Sequence, residues 1–323
     1  MLKNTKYYQA INAALLQAMH RNSDVMVIGQ LVDSISGVFG TTSGLIEEFG
    51  PTRVMDFPVS ESLMTSMSIG LAVSGKRPVL VHQRLDFSLY AMDAITNWMS
   101  LWRFKSGGKS VLPITIRAIV GKGWGQGPQH SKSLYSWFGH LPGIKTCVPS
   151  NPVDAKGMLL NAIFDDNPVL VIENRALFNM SDDVPSDPYQ SPLETAKVVQ
   201  QGQDLTLVSF GNELQICRRA LSAIREFDIE LIDLRSIKPL DTKTVCESVK
   251  KTGRLMVVEG DWESYGIASE VITKVVEDTE CQLAAPPVRL TYPDSHTPTS
   301  YMLERCFYLD EDDIIANIKK SFV

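Results

Sequence analysis

Hydrophobic positions recur along this chain in two rhythms. Apolar residues at Tyr8, Ile11, Leu15 and Met19 repeat at helical spacing, so the chain opens with an amphipathic helix. VMVIG (Val25–Gly29) then reads as a short, fully buried strand. The alternation continues with a helix over Glu61–Ser74, a strand PVLVH (Pro78–His82) and a helix from Ser88 to near Trp102. It goes on through a strand LPITIRA (Leu112–Ala118), a strand IKTCV (Ile144–Val148), a helix over Asp154–Phe164 and a strand PVLVIE (Pro168–Glu173). Continuously apolar strands separated by helices predict an α/β fold, a mostly parallel sheet covered by helices on both faces.

From Asn179 to Glu194 the string NMSDDVPSDPYQSPLE has little apolar periodicity and contains Pro185, Pro188 and Pro192, which predicts a linker. Beyond it the pattern restarts. LTLVSF (Leu205–Phe210), IELIDL (Ile229–Leu234), RLMVVE (Arg254–Glu259) and PVRL (Pro287–Leu290) read as strands. Helical segments fall between them, and one closes the chain near Asp313–Phe322. Two domains of this kind are expected, 1–185 and 186–323. A length of 323 residues suits two domains at about 150 residues each.

Composition narrows the function classes. A net charge of −6 argues against a nucleic-acid partner, which needs a basic footprint. No apolar run is long enough to span a bilayer, so no membrane partner is expected. The first residues lack the basic and apolar regions of a secretory signal, and a cytoplasmic location is the expectation. The cysteines Cys147, Cys217, Cys246, Cys281 and Cys306 are dispersed with no CxxC pair. They read as free thiols, not as a disulfide framework or a zinc site.

The densest candidate for chemistry is GKGWGQGPQHS, with glycines at 121, 123, 125 and 127. A dinucleotide fingerprint G-x-G-x-x-G would need glycine at Gln126 or Pro128, and a P-loop would need Gly-Lys-Ser/Thr where Gly127 is followed by Pro128. Both phosphate readings fail. The loop follows the carboxyl end of a parallel strand, where open α/β sheets bind ligands, and it delivers Gln129 and His130. Elsewhere the residues leave plain roles open. Glu61 begins a helix, where a carboxylate complements the dipole. Phe87 reads as a core aromatic, His82 as a satisfied, half-buried strand-end histidine, and His140 as a turn residue.

Several strings in one order resemble the β subunit of the thiamine-diphosphate-dependent 2-oxo acid dehydrogenases, the E1 component. They are DFPVSESLMTSMSIGLAVSGKRPV, DFSLYAMDAITN, and GQGPQHSKSLYSWFGHLPGIKTCVPSNPVDAKGMLLNAIFDDNPVLVIEN. The second half adds DLTLVSFGN, IELIDLRSIKPLD and SVKKTGRLMVVEGDW. The resemblance spans nearly the whole chain. It implies a thiamine-diphosphate pyrimidine-binding domain followed by a transketolase C-terminal domain. It also implies a cofactor shared between chains, with an α-type E1 subunit gripping the diphosphate and its magnesium through a GDG motif. This sequence has no GDG; Gly260-Asp261-Trp262 only approaches it. An α2β2 assembly containing a β2 pair and a lipoyl-bearing E2 acceptor follow from the same likeness.

By that resemblance Glu61 hydrogen-bonds the aminopyrimidine and favours its imino tautomer, the protein tuning a cofactor that does the carbon chemistry. Phe87 matches the aromatic that stacks on the aminopyrimidine. His130 matches the histidine at the substrate end, a proton donor or oxyanion stabiliser, and Gln129 helps to orient it. Ile114, Ala162, Asp165 and Asn167 align with positions whose carbonyls hold a potassium ion.

The sequence departs from the family in two strings. GQLV places Gln30 where a carboxylate near the cofactor is usual, and VHQRL replaces the usual E-F-M-T-F, introducing His82, Gln83 and Arg84. Lys122 and Trp124 are also unusual. A basic approach of this kind suits a phosphorylated or polyhydroxylated substrate, while Arg84 and Lys122 could equally be solvated or face a partner. Three readings stand. One is the oxo acid dehydrogenase β subunit; another is the C-terminal subunit of a split transketolase-like carboligase; the third is a non-catalytic assembly subunit.

Overall fold

The computed structural model describes residues 1–123 and 125–322. The chain forms two compact units, Met1–Gly121 with His140–Leu193, and Lys122–Gly139 with Glu194–Val323. The glycine-rich segment thus packs within the second unit, although it lies far upstream of the linker in sequence.

The first unit contains strands β1 (Leu2–Lys6), β2 (Val25–Gly29), β3 (Val54–Asp56), β4 (Arg77–His82), β5 (Thr115–Val120), β6 (Lys145–Cys147), β7 (Val169–Asn174) and β8 (Ser181–Val184). Its helices are α1 (Tyr7–Arg21), α2 (Leu45–Phe49), α3 (Glu61–Val73) and α4 (Trp102–Lys105). After α5 (Tyr135–His140), which spans the junction in sequence, comes α6 (Pro152–Phe164). Parallel strands run across the sheet in the order β6-β7-β5-β4-β2-β3. The inner stripe of α1 (Tyr7, Ile11, Leu15, Met19) packs with Ala155, Leu159 and Ile163 of α6 and with the buried strand residues Val25, Val27, Val79 and Val169. The stripe begins at Tyr7, and Tyr8 is only partly buried.

Two expectations are corrected here. The continuous helix predicted from Ser88 to Trp102 is a 3-10 turn over Leu85–Ala91, a π-helical turn over Ala94–Met99, and α4. Such irregular turns are common at functional sites, where they re-aim side chains. The linker predicted over Asn179–Glu194 is structured. Its β8 pairs antiparallel with β1. The buried Lys156 of α6 donates to the carbonyls of Pro185 at 2.6 Å and of Ser186 and Asp187 at 3.1 Å. Tyr189 and Asn161 add side-chain bonds to backbone carbonyls. Apolar periodicity is blind to a polar segment held by its own backbone.

The second unit carries β9 (Lys197–Gln200), β10 (Leu205–Ser209), β11 (Ile229–Asp233), β12 (Ser236–Lys238), β13 (Leu255–Trp262) and β14 (Val288–Tyr292). Its main sheet runs β14-β13-β10-β11-β9, parallel except for the edge strand β9. Helices α7 (Gly211–Ala223), α8 (Thr242–Thr252), α9 (Ile267–Glu277), α10 (Tyr301–Phe307) and α11 (Glu311–Lys320) complete it. Leu214, Ile216 and Ala220 of α7 and Ile314 and Ile318 of α11 form its core with the strand residues Leu207, Leu231 and Met256. Strands β1 and β9 and helix α10 were not anticipated, being short and mostly polar on their exposed side.

Two buried polar groups mark the first sheet. Arg117 of β5 makes a bidentate pair with Glu173 of β7, Nε to Oε1 at 2.6 Å and Nη2 to Oε2 at 2.8 Å, and both side chains are fully buried. Breaking one partner of such a pair strands a charge without water. Glu173→Gln should therefore destabilise the chain by about 3–5 kcal/mol in urea unfolding, while the double change Arg117→Met, Glu173→Leu loses far less. His82, at the end of β4, is 1% exposed and, among the described residues, finds no hydrogen-bond partner for either ring nitrogen, so it is neither half-buried nor satisfied. Burial pushes its pKa down to about 4. The unfolded chain takes up a proton near pH 6.5 and the folded chain does not, so stability is lost as pH falls from 6.5 towards 4. Replacing His82 with Phe should abolish this loss of about 3 kcal/mol in unfolding measured across that range.

Candidate functional site

Strand order locates the site. From β2 the chain crosses one way to β3, and it returns on the other side with β4 and then β5. Connections leaving neighbouring strands in opposite directions open a crevice at their carboxyl ends, where α/β sheets bind ligands. The crevice here lies beyond β2 and β4. Gly29 closes β2 against β4: a side chain there would meet the Val81 carbonyl oxygen at 2.6 Å, so only glycine allows this approach.

Three connections supply the side chains. After β2 comes Gln30, whose amide donates to the Pro58 carbonyl at 3.3 Å. Gln83, after β4, donates to the backbone carbonyl of Gln30 at 3.1 Å and ties the two strand ends together. After β3 the chain runs through Val59 and Ser60 into α3, whose first residue is Glu61. After β4 it enters the 3-10 turn that carries Phe87 and Tyr90. Val59, Ser60, Glu61, Ser62, Phe87 and Tyr90 line one cleft of about 480 Å³. Glu61 is largely buried in its wall at the positive end of the α3 dipole, which favours a carboxylate. Phe87 is half-buried, so its ring is available to a ligand, unlike the core aromatic that its sequence context suggested. Val59 and Tyr90 rim the cleft at 83% and 76% exposure. Glu61 and Phe87 are thus brought together in the first unit by two separate connections, while Gln30 does not line this cleft and is tied to the Pro58 carbonyl just before it.

Arg84, at the same strand end, donates to the Gln83 carbonyl at 2.7 Å and lies over the Phe39 ring at 5.1 Å. Arg175, which follows β7, lies over the same ring at 4.8 Å. Burial and mutual repulsion lower the pKa of the Arg84 guanidinium. Arg84 is therefore engaged within the fold and not merely solvated.

Gln129 and His130 belong to the second unit. Gln129 is exposed, and His130 is half-buried with its backbone N–H turned to the Gly127 carbonyl at 3.5 Å. The glycines before them are required by local geometry. Gly123, Gly125 and Gly127 have φ of 80°, 66° and 66°, a region that favours glycine. A side chain on Gly127 would meet Thr299 Oγ1 at 2.5 Å. The Gly125 N–H donates to the Glu304 carboxylate at 3.1 Å. Further along, Ser133 donates to the Gly260 carbonyl at 2.5 Å, and the Tyr135 N–H donates to Asp261 at 2.9 Å. The described residues of this segment are thus anchored within the second unit.

Lys122 is its ionic tether. Its ammonium lies 3.2 Å from the buried Glu213 carboxylate, 3.3 Å from the Tyr292 hydroxyl and 4.6 Å from the centre of the Tyr308 ring. Its charge is therefore engaged inside the second unit and not merely solvated. Trp124, noted beside it in the sequence, lies outside the described residues. His140 is the exposed last residue of α5. Burial raises the carboxyl groups of Glu259 to about 8 and Asp261 to about 6.

The positions expected to hold potassium fit a cation poorly. The Ile114 carbonyl accepts from Val169 N at 3.0 Å and the Ala162 carbonyl from Asp165 N at 3.2 Å. Arg77, a cation, donates to the Asp165 carbonyl at 3.0 Å. The Asp165 carboxylate is taken by Lys145 at 2.9 Å and Asn167 at 2.8 Å, while the Asn167 side-chain oxygen accepts from Arg103 at 3.2 Å. These oxygens are engaged within the fold, and Arg77, Lys145 and Arg103 already supply cations to them.

Replacing Lys122 with Met removes the only ionic partner found for Glu213 among the described residues. It should lower stability by about 1–3 kcal/mol in denaturant unfolding, the half-open site moderating a buried-pair loss. Lys122→Arg should retain most of it.

Comparison with known proteins agrees with this architecture. The transketolase pyrimidine-binding domain matches residues 3–180, and the transketolase C-terminal domain matches residues 194–314. The pyruvate dehydrogenase E1 component subunit beta of Rickettsia felis is 35% identical over 97% of this chain and 96% of its own length. The acetoin:2,6-dichlorophenolindophenol oxidoreductase subunit beta of Bacillus subtilis is 36% identical over 95% of this chain and 94% of its own. Among solved structures, a split-gene transketolase described as an inactive beta4 tetramer shares the fold, with TM-score 0.80, 20% identity and 98% of each chain covered. The chain therefore belongs to the family of pyruvate dehydrogenase E1 component β subunits, built from a transketolase pyrimidine-binding domain followed by a transketolase C-terminal domain.

Proposed function

We propose that this chain is the β subunit of a thiamine-diphosphate-dependent 2-oxo acid dehydrogenase. It decarboxylates a 2-oxo acid and passes the acyl group to a lipoyl carrier. The observation that carries this reading is the cleft in which the Glu61 carboxylate and the Phe87 ring face one space. A carboxylate beside an aromatic face is the donor set that a protonatable aminopyrimidine requires. The names of the relatives support the same reading.

When bound, thiamine diphosphate supplies the carbon nucleophile that attacks the oxo acid. Glu61 would hydrogen-bond the ring nitrogen of the aminopyrimidine and so hold a proton at that atom. Phe87 provides a stacking surface, and Gln30 hydrogen-bonds at the rim without adding a negative charge that would repel an oxo acid. His130 is the proton donor towards substrate, with Gln129 beside it in sequence. The diphosphate and magnesium belong to an α-type subunit, since this sequence has no GDG motif. The exposed apolar rim at Val59 and Tyr90 is surface for that subunit to cover. The assembly is α2β2, acting in the cytoplasm and delivering to a lipoyl-bearing E2. No helix among the described residues is long and apolar enough to cross a membrane.

One observation favours a second reading. Arg84 and Arg175 both lie over Phe39, and paired guanidiniums suit a phosphorylated substrate of a split transketolase-like carboligase. Coexpression with an α-type subunit separates the two. With thiamine diphosphate and magnesium, pyruvate or branched 2-oxo acids should reduce an artificial electron acceptor. Activity confined to ketose phosphates would instead establish the carboligase. In the same complex Glu61→Gln should lower turnover at least about 100-fold while sedimentation of the assembly is unchanged. Full turnover in that variant removes the role given to Glu61.

A further inference from the structure

Cysteines 246 and 281, 35 residues apart, were read above as free thiols and not as part of a zinc site. The fold joins them. Cys246 lies on the buried face of α8, and α9 ends at Glu277. Directly after α9 the chain makes a tight turn. The Cys281 N–H donates to the Asp278 carbonyl at 2.9 Å, and the Glu280 N–H donates to Asp278 Oδ1 at 2.9 Å. The turn sets the Asp278 and Cys281 side chains side by side against Cys246. The Cys281 thiol lies 3.6 Å from the Cys246 carbonyl oxygen. The two sulfurs and a carboxylate oxygen all fall within 4.8 Å of one another, the one such convergence of potential metal ligands found among the described residues.

We propose that Cys246, Asp278 and Cys281 form a binding site for a thiophilic divalent cation of the zinc class, with water as the fourth ligand. Around a tetrahedral ion at about 2.3 Å from sulfur and about 2.0 Å from oxygen, ligand atoms stand about 3.5–4 Å apart. The observed spacing closes to that with a movement of about 1 Å. Cys281 and Asp278 are half-exposed, which gives an ion a path in, and Cys246 supplies a ligand from within the unit. Two thiolates and a carboxylate around a divalent ion sum to −1, and the Lys250 ammonium, which also pairs with Glu280 at 2.6 Å, stands 3.3 Å from Asp278 Oδ2 and moderates that charge. On binding, each S–H releases its proton to solvent as a sulfur–metal bond forms, and no electrons move. The ion would staple α8 to the turn that follows α9. A disulfide would use the same two sulfurs but would not draw on the Asp278 carboxylate, which converges on them within 4.8 Å.

The full-length chain, kept reduced with a phosphine, should be titrated with Co²⁺. One equivalent should bind with a thiolate-to-cobalt charge-transfer band, and added Zn²⁺ should displace it. The band should vanish in Cys246→Ser and in Cys281→Ser, and Asp278→Asn should weaken binding at least tenfold. Cys306→Ser, a change at an exposed thiol elsewhere, should leave the band intact. Cys281 is half-exposed, so its variant tests the site even where Cys246→Ser disturbs packing. Absence of the band in the parent chain overturns the proposal, as does its persistence in Cys281→Ser. So does a pair that yields only a Cys246–Cys281 disulfide when treated with hydrogen peroxide.

Discussion

The bidentate pair between Arg117 and Glu173 lies at the middle of the first sheet, and the order of that sheet hangs on it. Strands β5 and β7 are buried on both faces, and their apolar side chains alone would tolerate a slip along the strand axis. Two charges without access to water admit one register, since a displaced partner would leave an ion uncompensated. With β5 and β7 fixed, β4 and β2 follow in parallel register, and their carboxyl ends meet at one level. The crevice that gathers Glu61 and Phe87 is a consequence of that alignment. Stability and site geometry are one matter here.

The units handle polar groups differently. In the first, buried charge is paired at the sheet centre, and His82 is a neutral, unpartnered histidine at a strand end. In the second, the acids Glu213, Glu259 and Asp261 are buried close to the glycine segment, which supplies the Lys122 ammonium and backbone N–H donors. That arrangement explains why the segment containing His130 is held firmly, although its sequence resembles a mobile loop. Glycine there serves positive φ and close approach to Thr299, and no phosphate is involved.

Much of the fold was legible in the residues. Runs such as VMVIG and PVLVIE are too apolar to be anything but buried strands, and the α1 stripe announces its own helix within one residue. Segments whose structure comes from polar contacts were not legible. Residues 181–184 became a strand because β1 offered an edge, and Lys156 reached three successive carbonyls of the following chain. The helix predicted after His82 broke into 3-10 and π turns, which tilt Phe87 towards the cleft. Local patterning cannot register either effect.

The sequence by itself determined the parallel α/β class, the two repeating patterns, and the kinship carried by strings such as QHS and PGIKTCVP. It also contained Glu61 as a residue of interest, but a first-turn glutamate looks the same whether it serves a dipole or a ligand. Only the tertiary structure decided that Glu61 and Phe87 share a cleft, that Lys122 is an internal tether, and that Cys246 meets Cys281. The reason is that spacing along a chain encodes local periodicity, whereas chemistry depends on which distant residues the sheet order brings within a few ångströms.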